Sequence, residues 1–193
     1  MKSSLTAFTF LVAGSVIGLI GCGTSAQPRF YTLNATAAAP STSGTKVLVG
    51  PVSIPATVDR PEMVVQNPPN GVEIEEFNRW ASPLGEMIGR AVASDLGGQL
   101  MSSEVTSAPL ASFNPSYKVT INVQRFDSIR GQEAVLEAVW TVQDMSASKS
   151  RSGSTAAHEA IQGDGFDAIA AAQSRALARL SSDIAAVIRT ASN

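Results

Sequence analysis

Hydrophobic and polar side chains alternate between residues 117 and 124, and this period of two predicts a β-strand with one face exposed to water. The segment AVLEAVWTVQDM at 134–145 has apolar residues at both parities, so it predicts a strand in the interior of a sheet. A shorter strand is predicted over 154–161. Because the links between these three segments are short, we expect them to form an antiparallel meander.

Two other segments have the helical period instead. Ser82 and Pro83 predict a helix start, with Ser82 as the capping residue and Pro83 at the first helical position. Apolar residues then recur at every fourth position: Leu84, Ile88, Val92, Leu96 and Leu100. A last helix is predicted over 166–190, with an apolar stripe at Ile169, Leu177, Leu180, Ile184 and Ile188. We expect each stripe to pack against a sheet.

The first part of the chain contributes further strands. Residues 29–33 and 46–54 are rich in aromatic and β-branched side chains. Segments 63–66 and 72–76 flank Asn70-Gly71, a strong hairpin signal because both central residues of a type I′ turn need a positive φ. Together these patterns predict an α/β (α+β) sandwich. Its mixed, largely antiparallel sheet has about five to six strands, and two main helices pack on it.

The N-terminus has a different pattern. Lys2 is the only charged residue before Cys22, and residues 5–20 are uncharged and mostly apolar. This run of about 16 residues is shorter than the roughly 20 that a membrane-spanning helix needs, so it predicts a secretory signal peptide. Its end, LIGC at 19–22, resembles the bacterial lipobox at all four positions, which implies that the Cys22 thiol receives a lipid. The alternative is an incidental cysteine in an uncleaved anchor.

These features divide the chain into three parts. We expect residues 1–21 to be a lipoprotein signal peptide, 22–28 a lipid-anchored tether and 29–193 a single domain. Cys22 is the only cysteine, so the mature domain forms no internal disulfide, and acyl chains such as palmitate would hold it at a membrane. Position 23 is glycine, whereas aspartate there retains enterobacterial lipoproteins at the inner membrane. By that resemblance, we expect the periplasmic face of the outer membrane.

Composition argues against several function classes. The chain has 14 basic and 16 acidic residues without a basic patch, so we expect no nucleic-acid partner. His158, the only histidine, lies in a predicted strand, where a structural role is expected. A single histidine without a cysteine after Cys22 does not make a structural zinc site, and no Gly-x-Ser-x-Gly elbow, phosphate loop or dinucleotide fingerprint is found. The sequence therefore predicts no enzyme, no cofactor and no metal.

Three motifs follow the lipobox in order. They are FYTL at 30–33, VGPVSIP at 49–55 followed by DRPEMV at 59–64, and RWASPL at 79–84. In order and spacing they resemble the PqiC/YmbA family, the auxiliary lipoproteins of MCE-type lipid transport systems. The resemblance covers nearly the whole chain. It departs at residues 56–58, where the family tends to have a bulky residue, and at Glu62, where glutamine is usual.

The resemblance implies a small α/β sandwich that acts as a non-enzymatic adaptor. In such systems an ABC transporter or a related inner-membrane protein works with MCE-domain proteins that reach across the periplasm. The lipoprotein receives their far end at the outer membrane, lipids or other hydrophobic molecules pass between the membranes, and envelope integrity is maintained. The symmetry of an MCE ring also suggests a homo-oligomeric ring of this chain. The alternatives are a general envelope tether for peptidoglycan or another protein, and a periplasmic lipid hydrolase.

Five residues in the family motifs are candidates for an interface with the partner: Asp59, Arg60, Pro61, Arg79 and Trp80. The first three follow a predicted strand and Pro55, so we expect them on a rigid exposed loop. Arginine and tryptophan are common anchors of protein interfaces. The alternative is a structural role, in which Arg60, Arg79 and Trp80 join this loop to the following helix.

Overall fold

The computed structural model describes residues 26–38, 42–67, 69–109 and 111–191. These residues form eight strands and two helices. The strands are β1 (Arg29–Tyr31), β2 (Val47–Ser53), β3 (Glu62–Asn67), β4 (Gly71–Trp80), β5 (Val105–Thr106), β6 (Tyr117–Ile129), β7 (Glu133–Asp144) and β8 (Lys149–Ala160). The helices are α1 (Leu84–Leu100) and α2 (Gly165–Ala191). Cys22 and the expected signal peptide lie outside the described residues.

All eight strands belong to one mixed sheet. The antiparallel meander is confirmed, because β7 pairs along its length with β6 on one side and β8 on the other. The second edge of β6 is shared by two strands. β2 runs parallel to its first half, whereas β3 pairs with it only between Gln66 and Ile129. β5 pairs with β2. β4 pairs with β3, and the edge strand β1 pairs with β4. The sheet therefore splits in two along this edge of β6.

The core lies between the sheet and the two helices, which contact each other on one face of the sheet. Both predicted stripes are buried: Ile88, Val92 and Leu96 of α1, and Leu177, Leu180 and Ile184 of α2, are 0% exposed. Alternate residues of β6, among them Val119 and Ile121, meet them from the sheet. The apolar stripes of the two helices and the apolar face of β6 therefore form one hydrophobic layer.

The fold class is confirmed, but the sheet has eight strands rather than five to six. β5 has two residues, too few for any period to be visible. β8 begins at Lys149, earlier than predicted, although its first residues are polar and turn-like in composition. Pairing with β7 extends it, because strand formation depends more on neighbouring strands than on local propensity.

The predicted cap of the first helix is wrong. Pro83 occupies the N-cap position, and no side chain caps α1. Ser82 Oγ instead accepts a hydrogen bond of 2.6 Å from Nη2 of Arg90. The backbone N–H groups of Glu86 and Met87 both donate to the Pro83 carbonyl. The helix therefore starts from the restricted backbone of Pro83 and the burial of Leu84, not from a serine cap.

Candidate functional site

The loop between β2 and β3, residues 54–61, bridges the split in the sheet and is fixed by its own backbone. The N–H groups of Val58 and Asp59 donate to the Pro55 carbonyl at 3.1 and 3.2 Å, and that of Arg60 donates to the Val58 carbonyl at 2.9 Å. Val58 is buried, Arg60 is half-buried and Asp59 is exposed. These hydrogen bonds hold the loop in one backbone conformation, and they leave Asp59 open to solvent while Arg60 is half-buried.

The end of β4 is joined directly to this loop. The backbone N–H of Trp80 donates to the Pro61 carbonyl at 2.7 Å. The Trp80 side chain is only 7% exposed, and its ring centroid lies 6.5 Å from that of Phe126 in β6. Trp80 thus has the structural role that the sequence left as an alternative. It also holds the loop against the start of α1.

A cavity of about 320 Å³ opens at this junction. Its lining consists of Asp59, Arg60, Pro61, Trp80, Ser82, Pro83 and Leu84. Four of the five residues proposed from the sequence as an interface therefore meet around one depression. They come from two motifs that are separated by the whole β3–β4 hairpin, so the sequence alone gave their identity but not their convergence.

Arg60 is the polar group of this cavity whose interactions are incomplete. Its Nε is buried without a hydrogen-bond partner. None of the ion pairs among the described residues includes its guanidinium. A buried donor left unsatisfied costs about 1–3 kcal/mol. Arg60 therefore lies at the cavity with an incompletely bonded guanidinium.

Arg79 lies apart from the other four residues. The pairing of β1 with β4 places it opposite Phe30, whereas Trp80 lies opposite Tyr31 on the other face. Its Nη2 is 2.7 Å from Oε1 of Glu62, and its Nε donates to the Glu76 carbonyl at 3.1 Å. Because this ion pair is partly exposed, its contribution to stability is small. The structure thus brings together Asp59, Arg60, Pro61 and Trp80, but not Arg79.

A larger groove of about 770 Å³ runs beside the cavity, between β2 and α1, and Asp59 and Pro83 line both. No residue of the predicted interface other than Asp59 lines it. Its helix side includes Gly85 and Gly89, and β2 changes register with β6 between Val49 and Val52. Two glycines four residues apart on a helix were the signal, because they let α1 lie close to Val52 of β2.

Other chemistry considered from the sequence lies elsewhere. His158 is on β8, exposed, with Nδ1 3.1 Å from Oε2 of Glu133. Over the described ranges, no three His, Cys, Asp or Glu side chains are arranged to hold a metal ion. No helix in those ranges is long and apolar enough to span a bilayer.

Comparisons with known proteins add an independent finding. Residues 31–185 match the model of a family described as the ABC-type transport auxiliary lipoprotein component. No protein of curated function matches the chain. One solved structure, described only as an uncharacterized protein, superposes with a TM-score of 0.71 at 21% identity, over 84% of this chain and 99% of that one. A protein from Xanthomonas campestris of the DUF330 family has a TM-score of 0.58 at 23% identity, over 81% and 92%.

Proposed function

This chain belongs to the family of ABC-type transport auxiliary lipoprotein components, and from that premise we propose that it is the docking subunit of an MCE-type transport system. In this proposal acyl chains at Cys22 anchor residues 22–28 in the outer membrane, after removal of residues 1–21. The domain faces the periplasm and receives an MCE-domain protein that is linked to inner-membrane transporter subunits. Lipids or other hydrophobic molecules move through that assembly, and the chain supports envelope integrity without catalysing a reaction.

The observation that carries the docking role is the convergence of Asp59, Arg60, Pro61 and Trp80 on one cavity. Trp80 and Pro61 fix the shape of the depression, since one is packed in the core and the other is tied to it by a backbone hydrogen bond. Arg60 supplies a partly desolvated cation with an unsatisfied donor. A fixed, partly apolar pocket with one incompletely bonded arginine has the character of an interface hot spot.

The test is recovery of the partner from detergent-solubilised envelopes with the intact lipoprotein as bait. We expect an MCE-domain protein to co-purify. Arg60→Gln should lower its affinity about 10- to 100-fold, which corresponds to a hot-spot loss of about 1.4–3 kcal/mol. Arg79→Gln is the matched control, because it removes the same charge one strand away but outside the cavity.

Each outcome of that experiment decides between functions. Equal losses for both variants would contradict the cavity as the docking site. Recovery of peptidoglycan or of an unrelated envelope protein would favour the general tether instead. A ring of this chain around a symmetric partner predicts several copies per complex, and native mass measurement of the purified complex would count them.

The anchor is tested separately by substitution at the lipobox. Cys22→Ser should abolish incorporation of radiolabelled palmitate and leave residues 1–21 attached, because the thiolate is the nucleophile that accepts the lipid. Ser25→Ala, which lies outside the lipobox, is the control and should be labelled normally. Palmitate labelling of the Cys22→Ser protein would contradict the assignment.

A further inference from the structure

Four exposed apolar side chains lie on the two outermost strands of one side of the sheet. Their exposed fractions are 62% for Phe30 on β1 and 53%, 49% and 41% for Val72, Ile74 and Phe77 on β4. We call these four residues the apolar strip. The other large apolar side chains that are exposed in the described ranges, Met101, Val139 and Met145, lie on different elements. Clustered exposed apolar residues mark an interaction surface, whereas isolated ones are ordinary.

The strip lies on the face of the sheet that the helices leave free. Val72 and Ile74 lie on one face of β4, and Glu75 lies on the other. The Glu75 carboxylate accepts a hydrogen bond from Asn78 Nδ2 at 3.3 Å. Glu75 and Asn78 therefore share a face although they are three residues apart. Residues three apart in a regular strand lie on opposite faces, so β4 must be irregular here. The pairing shows this irregularity: Glu62 pairs with Arg79, whereas the next residue of β3, Met63, pairs with Glu75.

The same irregularity brings the two phenylalanines onto the strip. Because the alternation of faces is interrupted between Glu75 and Asn78, Phe77 lies on the same face of the sheet as Ile74. Phe30 pairs with Arg79, which is two residues after Phe77 and therefore lies on the same face of the sheet. Tyr31 and Trp80, the neighbouring pair, point into the core. One apolar surface thus extends along β4 and onto β1.

The position of the anchor relative to this surface follows from the register of β1 and β4. The two strands are parallel, and Arg29 pairs with Asn78. Cys22 precedes Arg29 by seven residues, just as Gly71, at the tip of the β3–β4 hairpin, precedes Asn78 by seven. Seven extended residues span at most about 25 Å. The acylated residue therefore lies within about 25 Å of the start of β1.

We propose that the apolar strip rests on the lipid bilayer in which Cys22 is anchored. This inference depends on the anchor in the proposed function, since acyl chains at Cys22 keep the bilayer within the reach just derived. A short tether raises the effective concentration of lipid at the strip, so a weak apolar surface is enough for contact. The occupant is a phospholipid surface, and the contact fixes the orientation of the domain.

The backbone sets the depth of this contact. β1 covers only residues 78–80 of β4, so in the described part of the chain the outer edge of residues 71–77 has no paired strand. Unpaired backbone groups are not tolerated in hydrocarbon, which places the strip at the level of the headgroups. Glu73, Glu75 and Glu76 alternate with the strip, so apolar contact and not attraction to anionic lipid holds it.

The test uses the acylated, full-length mature protein in phosphatidylcholine vesicles, with an environment-sensitive NBD label on one introduced cysteine. The native thiol is alkylated in this protein, so only the new cysteine reacts. Labels at Ile74→Cys and Phe30→Cys should show a blue shift and a severalfold rise in emission, and lipids with a nitroxide near the headgroup should quench them. Raising the salt concentration should leave these changes in place.

Two control positions make the test specific. Glu73→Cys is on the opposite face of the same strand. Met145→Cys is in the turn that follows β7, and Met145 is 47% exposed, close to the 49% of Ile74. Both should remain quenched by water. Equal emission at all four positions would overturn the proposal while leaving the anchor intact, whereas failure of the acylated protein to stay on vesicles would contradict the anchor itself.

A second copy of this chain is the other candidate cover, since a bare strand edge can pair with another edge. The label at Ile74→Cys distinguishes the two by surface density. A change that persists below one protein per vesicle supports lipid contact. A change that appears only at high density, together with disulfide-linked dimers when the unlabelled Ile74→Cys protein is oxidised in air, assigns the strip to a second copy and overturns the proposal.

Discussion

At the scale of single residues, Gly153 lies directly against the ring of Trp140, its partner across β7 and β8. A Cβ atom at position 153 would lie 2.5 Å from Cζ2 and 2.6 Å from Cη2 of the Trp140 ring. The ring is not free to move away. Its Nε1 donates to Thr155 Oγ1 at 3.1 Å, and Thr155 in turn donates to Asp183 at 2.6 Å.

We expect Gly153→Ala to lower the free energy of unfolding by about 1–3 kcal/mol, because the ring must shift and its hydrogen bond must lengthen. Urea denaturation followed by tryptophan fluorescence measures this directly. Gly89→Ala is the control. Its new methyl group would meet its nearest neighbours at 3.5 Å, an ordinary contact, and alanine raises helix propensity. A loss at position 89 as large as that at 153 would contradict this account.

At the scale of elements, the sequence predicted those whose period is long and unambiguous. The stripe at Ile169 and Leu177 and the alternation at Tyr117 and Val119 were sufficient to place α2 and β6. The Asn70-Gly71 signal correctly placed the β3–β4 hairpin, but the predicted type I′ turn is wrong, because neither residue has a positive φ and Gly71 already belongs to β4. What the sequence did not reveal depends on pairing between distant segments, namely β5, the irregularity in β4 and the groove between β2 and α1. For the same reason it gave the cavity residues without showing that Arg79 faces away from the rest.

The start of α1 gives a prediction at this scale. Because Ser82 does not cap the helix, Ser82→Ala should change stability by less than about 0.5 kcal/mol, whereas loss of a true serine cap costs about 1 kcal/mol. The substitution removes only a hydrogen bond from exposed Arg90. The urea midpoint of the variant should therefore lie close to that of the parent protein. A loss near 1 kcal/mol for Ser82→Ala alone would restore the serine as the cap.

The turn between β7 and β8 carries a dependence on pH. Hydrogen bonds to Asp144 from the Ser146 hydroxyl, then from the Ala147 and Ser146 backbone N–H groups, lower the pKa of its carboxyl below 3.8. Because the folded pKa is the lower one, the carboxylate stabilises the fold fully above pH 3.8 and this contribution is lost as pH falls through the folded pKa.

Asp144→Asn should therefore be less stable than the parent protein at pH 7 and at pH 5, with the difference shrinking below pH 3.8. Chemical denaturation at pH 7, 5 and 3 checks it. Asp164→Asn serves as the comparison, since it is another exposed aspartate near a turn and leaves this hydrogen-bond set untouched. A difference for Asp144→Asn that is unchanged at pH 3 would show that the charge is not the cause.

At the scale of the whole molecule, the split in the sheet defines two parts. β1, β3 and β4 form a wing, and the remaining strands and the two helices form the body. The wing joins the body through the pairing of Gln66 with Ile129 and through side-chain contacts. It also contributes four residues that are buried in the common core: Tyr31, Met63, Val65 and Trp80. Gln66 Nε2 donates to Asp127 at 3.0 Å, Arg130 pairs with Glu75, and Trp80 packs near Phe126.

This division has a functional consequence, because the wing carries the apolar strip while the cavity lies where wing and body meet. If the strip rests on the membrane as proposed above, a shift of the wing there changes the shape of the pocket formed by Arg60 and Trp80. Coupling of this kind requires that the wing opens at a lower free energy than the body. The two parts share only one backbone strand pairing in the described residues, which favours a lower opening free energy for the wing.

Native-state hydrogen exchange tests the condition. Backbone amides of β3 and β4 should exchange about 10- to 100-fold faster than those in the β6–β7 ladder, which corresponds to an opening free energy lower by about 1.4–3 kcal/mol. Gln66→Ala should accelerate exchange in the wing and leave the ladder unchanged, because it removes the hydrogen bond to Asp127 without touching the core. Gln99→Ala, on the α1 side of the body, should leave the wing unchanged. If wing and ladder exchange at one common rate that both variants shift equally, the molecule opens only as a unit, and the membrane-bound strip has no mechanical route to the pocket.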